Sequence, residues 1–242
     1  IKQSSATNGT IFELCYNPDN KSVIERHIKD LTLSSSLVST ADVGAIIAEA
    51  AVAAPANSYS MVFAGHGTGW IPRVLADSSV STLALGYDAW IPAEGAEVTR
   101  NFGESNVKLD ISEIAESIEY SGIELDYILF DACFMSNIEA VYDLRNSAKY
   151  IIASPCEIMG KGFPYHRTLP HLFGESYNLR SAAESYYLFY RDEYNGSARC
   201  GSVALYDCAE VEALAEATKI VMQSANLDID TSKLQTYEGQ TE

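Results

Sequence analysis

One histidine and one cysteine, whose side chains have complementary chemistry, each follow a short apolar run of the sequence. His66 comes after residues 60–64 (SMVFA), and Cys133 comes shortly after residues 127–130 (YILF). Cysteine attacks a carbonyl carbon as a thiolate, so it needs a neighbour that takes its proton, and histidine titrates near neutral pH. The two residues together therefore have the chemistry of nucleophilic acyl transfer.

Glycines flank the histidine and indicate a close approach of the backbone to another group. Gly65 and Gly67 stand on either side of His66, and glycine permits sharp turns and tight contacts. The backbone N–H groups of Gly67 and Cys133 are the candidate donors to an oxyanion. A lone cysteine after an apolar strand is more often a small buried hydrophobe than a nucleophile, so catalysis depends on a shared location with the histidine.

Strands and helices are predicted to alternate from about residue 40 onward, and cap residues mark several helix ends. Ser39 precedes a helical stripe, and Asp110 with Glu113 has the spacing of a capping box ahead of a helix that Gly122 ends. Residues 11–16 are predicted to form a strand, with His27 near an N-terminal helix. The remaining predictions are strands at 60–64, 127–130, 150–154 and 202–206 and helices near 137–146, 182–193 and 209–225.

This alternation predicts the fold class and a location for the site. Strands separated by helices imply an α/β fold, with a mostly parallel sheet and helices on both faces. Residues 1–242 are expected to form a single domain, with a loop or insertion at about 71–108 that contains a hairpin. Ligands bind such sheets beyond the carboxyl ends of the strands, which is where His66 and Cys133 are expected to meet.

Composition excludes several classes of function. The 242 residues are 47% hydrophobic, enough to bury a large core, and carry a formal net charge of −17. This charge argues against nucleic-acid binding and against docking on an anionic membrane, while it leaves room for calcium. No apolar run approaches the roughly 20 residues of a membrane-spanning helix. The 5 cysteines lack metal or redox spacing, and a Cys200–Cys208 bridge remains open.

Three blocks of the sequence resemble the clostripain family of cysteine peptidases in the same order. The first is 58–70 (SYSMVFAGHGTGW), the second is 125–146 (LDYILFDACFMSNIEAVYDLRN), and the third is 150–165 (YIIASPCEIMGKGFPY). The resemblance implies a caspase-like three-layer sandwich and a catalytic dyad of Cys133 and His66, with Gly67 in the oxyanion role. It also implies that the chemistry needs no cofactor.

The resemblance assigns the neighbours of the nucleophile to a substrate pocket. Asp131 matches an acidic residue that helps bind an Arg or Lys side chain in clostripain-like enzymes, although it is equally well interpreted as a cap on nearby backbone. Lys161 stands where a second carboxylate is typical, and would repel a cationic side chain or pair with Asp131. Glu157, four residues earlier, is the candidate to compensate.

The resemblance further implies a precursor that is activated by self-cleavage between the first two blocks, after Arg100 or Lys108. The chain starts at Ile1, and its opening looks abbreviated for such a domain. An upstream strand, a signal peptide or a pro-segment is therefore expected to lie outside this sequence.

The sequence thus predicts an extracytoplasmic cysteine endopeptidase that acts on protein or peptide substrates. Two alternatives keep the fold and change the function. One is a catalytically silent caspase-like binding module, and the other is a transpeptidase that joins the acyl group to an amine.

Overall fold

The computed structural model describes residues 2–5, 8–32, 39–67, 102–104, 107–174 and 176–225. The strands are β1 (Lys2–Ser5), β2 (Asn8–Asn17), β3 (Ser22–Thr32), β4 (Tyr59–Ala64), β5 (Phe102–Glu104), β6 (Val107–Leu109), β7 (Leu125–Asp131), β8 (Ala148–Ala153) and β9 (Ala204–Asp207). The α-helices are α1 (Thr40–Ala53), α2 (Ile111–Ser121), α3 (Ile138–Leu144), α4 (Tyr165–Leu172), α5 (Leu179–Glu193) and α6 (Val211–Ser224). Short 3-10 turns lie at Gly196–Ala198 and Cys208–Glu210.

A central sheet with the strand order β4-β7-β8-β9 organises the fold. The first three strands are parallel, and β9 pairs antiparallel with β8. The β7 strand is buried over its first six residues because it is covered on both faces. This confirms the predicted α/β class with a parallel-rich sheet.

Alternate residues of β7 point into two separate hydrophobic clusters, which makes the domain three layers thick. Ile128 and Phe130 pack with α1, α2 and α3 on one face. Tyr127 and Leu129 pack with α4 and α5 on the other face. Since successive side chains of a strand point to opposite sides, one continuous apolar run supplies both cores.

The predicted helix ends agree with the structure where local capping chemistry is strong. Ser39 Oγ accepts from the Asp42 N–H at 3.1 Å, and the Asp110 N–H donates to Glu113 Oε2 at 2.8 Å. Gly122 ends α2 in the left-handed conformation, with φ at 67°. These caps satisfy backbone groups that a helix terminus leaves without intrahelical partners.

Three predictions about elements are wrong or incomplete. The 11–16 strand forms, but β2 pairs with β1 and β3 in a separate antiparallel sheet, so His27 lies on strand β3 and not beside an N-terminal helix of its own segment. The apolar run at 60–64 is typical of a buried strand, but β4 lies at the edge of the described sheet and its side chains are alternately half-buried and exposed. Helix α4 was not predicted, since it contains Pro170 and follows a Gly- and Pro-bearing loop.

The region predicted as a loop with a hairpin is described only at its end. There β5 and β6 form the hairpin, with Gly103 opposite Lys108. The rest of 71–108 lies outside the described residues. No helix among the residues that the structure describes is long and apolar enough to cross a membrane.

Candidate active site

The carboxyl ends of β4 and β7 bring the histidine and cysteine segments to one edge of the sheet. Ala64 is in register with Asp131, and the Gly65 N–H donates to the Asp131 carbonyl oxygen at 3.3 Å. His66 and Cys133 therefore leave their strands at neighbouring positions, as expected for parallel strands.

The turn that carries His66 packs directly on the cysteine segment. Gly67 is buried, and a methyl group placed on its Cα would lie 2.6 Å from the Cys133 carbonyl oxygen. The same methyl would lie 3.0 Å from the sulfur of the fully buried Met135. Only a residue without a side chain fits this contact, which explains the glycine after the histidine.

The Cys133 thiol is half-buried and is bonded to the loop that follows β8. Its Sγ accepts from the Ile158 N–H at 3.3 Å and lies 3.9 Å from the Ile158 carbonyl oxygen. Burial raises the pKa of the Cys133 thiol, the Ile158 hydrogen bond acts in the opposite direction, and the negative charge of Glu157 raises the pKa further. In the described part of the chain the thiol bonds to Ile158 and not to His66, whose side chain is exposed.

The turn after the nucleophile candidate is strained and is held by hydrogen bonds. Phe134 has a φ of 60°, in the left-handed region that disfavours bulky side chains at a cost of about 1–3 kcal/mol. Its N–H donates to the Cys156 carbonyl at 3.1 Å, and Asn137 Nδ2 donates to its carbonyl oxygen at 2.7 Å. The Ser136 N–H donates to the Ser154 carbonyl at 3.1 Å. The loops after β7 and β8 are thus fastened together.

The dipole of the next helix does not act closely on the sulfur. A cysteine after a strand gains from that dipole only when it lies at the helix N-terminus, but α3 begins only at Ile138. Because the effect of the dipole falls off within the first turn, the neighbouring backbone amides matter more to the thiol.

Asp131 accepts hydrogen bonds from the loop that leads into α4. The Phe163 N–H lies 3.2 and 3.3 Å from its two carboxylate oxygens, and the Tyr165 hydroxyl donates to Oδ2 at 2.8 Å. Gly162 adopts a φ of +63° beside the same carboxylate. The backbone-capping interpretation describes these contacts, and the substrate-binding role of Asp131 stays a prediction.

The other predicted pocket residues, Glu157 and Lys161, are exposed in the loop that follows β8. Lys161 Nζ lies 5.7 Å from the centre of the Tyr194 ring, and the ion pairs of the described residues include none between Lys161 and Asp131. Glu157 is exposed and directly precedes Ile158. Of the predicted processing residues, Arg100 lies outside the described residues, and Lys108 belongs to β6.

Cysteine pairing and metal binding have little support in the described residues. All 5 cysteines are free thiols, including Cys200 and Cys208, for which a bridge had been left open. No group of three or more His, Cys, Asp or Glu side chains within the described ranges is arranged to hold a metal ion. The possibility of calcium therefore gains no support from these residues.

The sequence did not indicate which groups contact the Cys133 sulfur and the Asp131 carboxylate. Ile158 contributes only its backbone, so no sequence signal marks it. Tyr165 ends the third block that resembles the clostripain family, but only the fold shows that its hydroxyl donates to Asp131.

Comparisons with known proteins agree with this geometry. The family model of the clostripain family, peptidase family C11, matches residues 19–239. The chain is similar to a secreted C11 cysteine protease from Bacteroides thetaiotaomicron, with 31% identity and a TM-score of 0.72 over 91% of this chain and 58% of that chain. No curated protein matches this chain.

Two further solved structures are similar. A secreted C11 cysteine protease from the same species, in complex with an irreversible peptide inhibitor, has 31% identity and a TM-score of 0.67 over 91% of this chain and 58% of that chain. An inactive zymogen C11 protease from Parabacteroides distasonis has 27% identity and a TM-score of 0.69 over 96% of this chain and 58% of that one. The chain therefore spans less than two thirds of the length of these three proteins.

We expect Gly67→Ala to destabilise the protein, because the added methyl must displace backbone at Cys133. The free energy of unfolding should fall by about 1–3 kcal/mol, as for other overpacked sites. Urea denaturation measures it, and Gly160→Ala is the matched control, since nothing lies within 4 Å of its added methyl. Equal effects of the two substitutions would contradict the packing described.

Proposed function

Because the chain belongs to the clostripain family, we propose that it carries the catalytic residues of a cysteine endopeptidase, with Cys133 as nucleophile and His66 as general base and acid. The observation that carries this proposal is the contact between the His66 turn and the Cys133 segment, through Gly67 and Gly65 at one sheet edge. Both segments come from apolar strands, whose packing fixes where the two residues emerge.

The proposed reaction uses residues of this chain alone. His66 takes the thiol proton, and the Cys133 thiolate adds to the scissile carbonyl carbon. The N–H groups of Gly67 and Cys133 donate to the resulting oxyanion. His66 then gives its proton to the leaving amine, and water hydrolyses the thioester to release the acid and regenerate the thiol.

We further propose that substrates carry Arg or Lys before the cleaved bond. Glu157 supports this preference, because its carboxylate is exposed beside the residue whose amide contacts the sulfur. The position of Lys161 over the Tyr194 ring supports it too, since among the described residues the lysine forms no ion pair with Asp131 or Glu157. The net charge of −17 also favours cationic substrates.

The enzyme is proposed to act outside the cytoplasm and to be activated by self-cleavage. Two similar structures are of proteases described as secreted, and one is of an inactive zymogen. Arg100 is preferred over Lys108 as the cleavage site, because the backbone at Lys108 is paired in a hairpin and would have to leave it to enter an active site.

We expect Cys133→Ala and His66→Ala each to lower kcat/KM by at least about a thousandfold, because each removes a partner in proton transfer and attack. A panel of fluorogenic peptides that differ only in the residue before the cleaved bond measures the loss. Cys200→Ala and His27→Ala, which replace exposed residues, are the controls. Silence of the wild type and of any processed form would favour the binding module, whereas ligation of the product to an added amine would favour a transpeptidase.

The same panel tests the role of Glu157. Glu157→Gln should reduce the preference for Arg over a neutral isostere by about two- to fivefold, the range of a solvent-exposed ion pair. Glu116→Gln, which neutralises an exposed carboxylate on α2, should leave that preference unchanged. An unaltered preference in Glu157→Gln would assign recognition to other groups.

Self-cleavage predicts a defined change in mass. Wild-type protein should convert into two fragments with a new terminus after Arg100, while Cys133→Ala should stay intact because it lacks the nucleophile. Intact-mass spectrometry over time measures both, and Arg100→Gln should slow the conversion. If the wild type and Cys133→Ala both remain single chains under conditions of activity, self-cleavage is ruled out.

A further inference from the structure

The carboxylate of Asp131 anchors the loop between β8 and α4 at two points. It accepts from the Phe163 N–H and from the Tyr165 hydroxyl, the latter at 2.8 Å. Burial and the negative charge of Asp131 raise the pKa of Tyr165, so this hydroxyl keeps its proton and remains a donor. Both donors come from one short segment at the start of α4, which the carboxylate therefore fixes to the end of β7.

The anchored segment is connected by a tight turn to the residue that contacts the thiol. The Gly162 N–H donates to the Met159 carbonyl at 2.7 Å, which closes the loop next to Ile158. On its other side the Gly162 carbonyl accepts from the Tyr190 hydroxyl at 2.8 Å. Movement of the anchored segment would therefore be transmitted over a few residues to the Ile158 N–H.

We propose that Asp131 and Tyr165 are positioning residues, which hold this loop so that the Ile158 N–H stays on the Cys133 sulfur. The inference rests on the proposed function only in taking Cys133 as the nucleophile. It differs from a pocket role for Asp131, because the carboxylate acts here on the enzyme's own loop and through it on the sulfur.

A donor at the sulfur matters because the other surroundings disfavour the thiolate. Burial is the largest cause of the raised pKa of the Cys133 thiol, and the negative charges of Glu157 and Asp131 raise this pKa further. Tyr186 also lies within electrostatic range of the thiol, and the turn of His66 packs on the same segment. The Ile158 N–H lowers the thiol pKa, so its loss would leave less thiolate at neutral pH.

The test uses Tyr165→Phe, which removes one anchoring donor and changes no charge. The rate of Cys133 alkylation by iodoacetamide is followed against pH by peptide mass mapping, which needs no peptidase activity. We expect the midpoint of the profile to move to higher pH and the rate at pH 7 to fall about three- to tenfold, the effect of losing one hydrogen bond. In peptide cleavage, kcat should fall while KM changes little.

The matched control is Tyr127→Phe, whose buried hydroxyl donates to the Leu172 carbonyl at 2.8 Å. Both variants lose a hydroxyl that donates a hydrogen bond and should lower the melting temperature, but only Tyr165→Phe should change the alkylation profile. A wild-type profile in Tyr165→Phe would overturn the proposal.

A second variant distinguishes the loop-anchoring role of Asp131 from a role in substrate binding. Asp131→Asn should retain the ratio of kcat/KM for Arg over neutral substrates if Asp131 acts through the loop, and should lose that ratio if the carboxylate binds the substrate. Absence of peptide cleavage by the wild type would reject the proposed function alone, since the alkylation profiles still decide whether the anchor exists.

Discussion

The end of β7 holds the site together, because Asp131 is bonded through both its backbone and its side chain. Its carbonyl oxygen accepts from Gly65 in the histidine segment, and its carboxylate accepts from Phe163 and Tyr165 in the loop after β8. Two residues later comes the thiol. The histidine segment and the loop after β8 are thereby located against the strand end that leads into the cysteine, and that strand is covered by a hydrophobic cluster on each face.

The same location creates a conflict between packing and reactivity. Burial makes a thiolate at Cys133 less favourable, and the neighbouring carboxylates add to this effect. Phe134 adds backbone strain directly after the cysteine. Strain of this kind persists where surrounding hydrogen bonds determine the conformation, and here Cys156 and Asn137 supply them. A nucleophile in such a position depends on backbone donors, which are available from the loop after β8.

Local signals predicted the elements wherever a strong local interaction decides the backbone. The capping residues Ser39 and Asp110 and the C-terminal Gly122 mark helix ends, because each satisfies groups within a few residues of itself. The strand predicted at 127–130 forms within β7, since both faces of this apolar run are buried. The exposed face of β4 and the separate sheet of β2 and β3 were not foreseen, because an edge position and a choice of partner strand depend on distant parts of the chain.

For the site, the sequence by itself determined the reactive residue types, their order and their position after apolar strands. Those features follow from covalent connectivity and from the short-range preference of apolar runs for buried strands. The tertiary structure alone decided that Gly67 lies on the Cys133 carbonyl, that the Ile158 amide reaches the sulfur, and that the Asp131 carboxylate faces the chain's own loop. Contacts of this kind join residues that are far apart in sequence or use backbone groups that every residue has, so the residue types do not predict them.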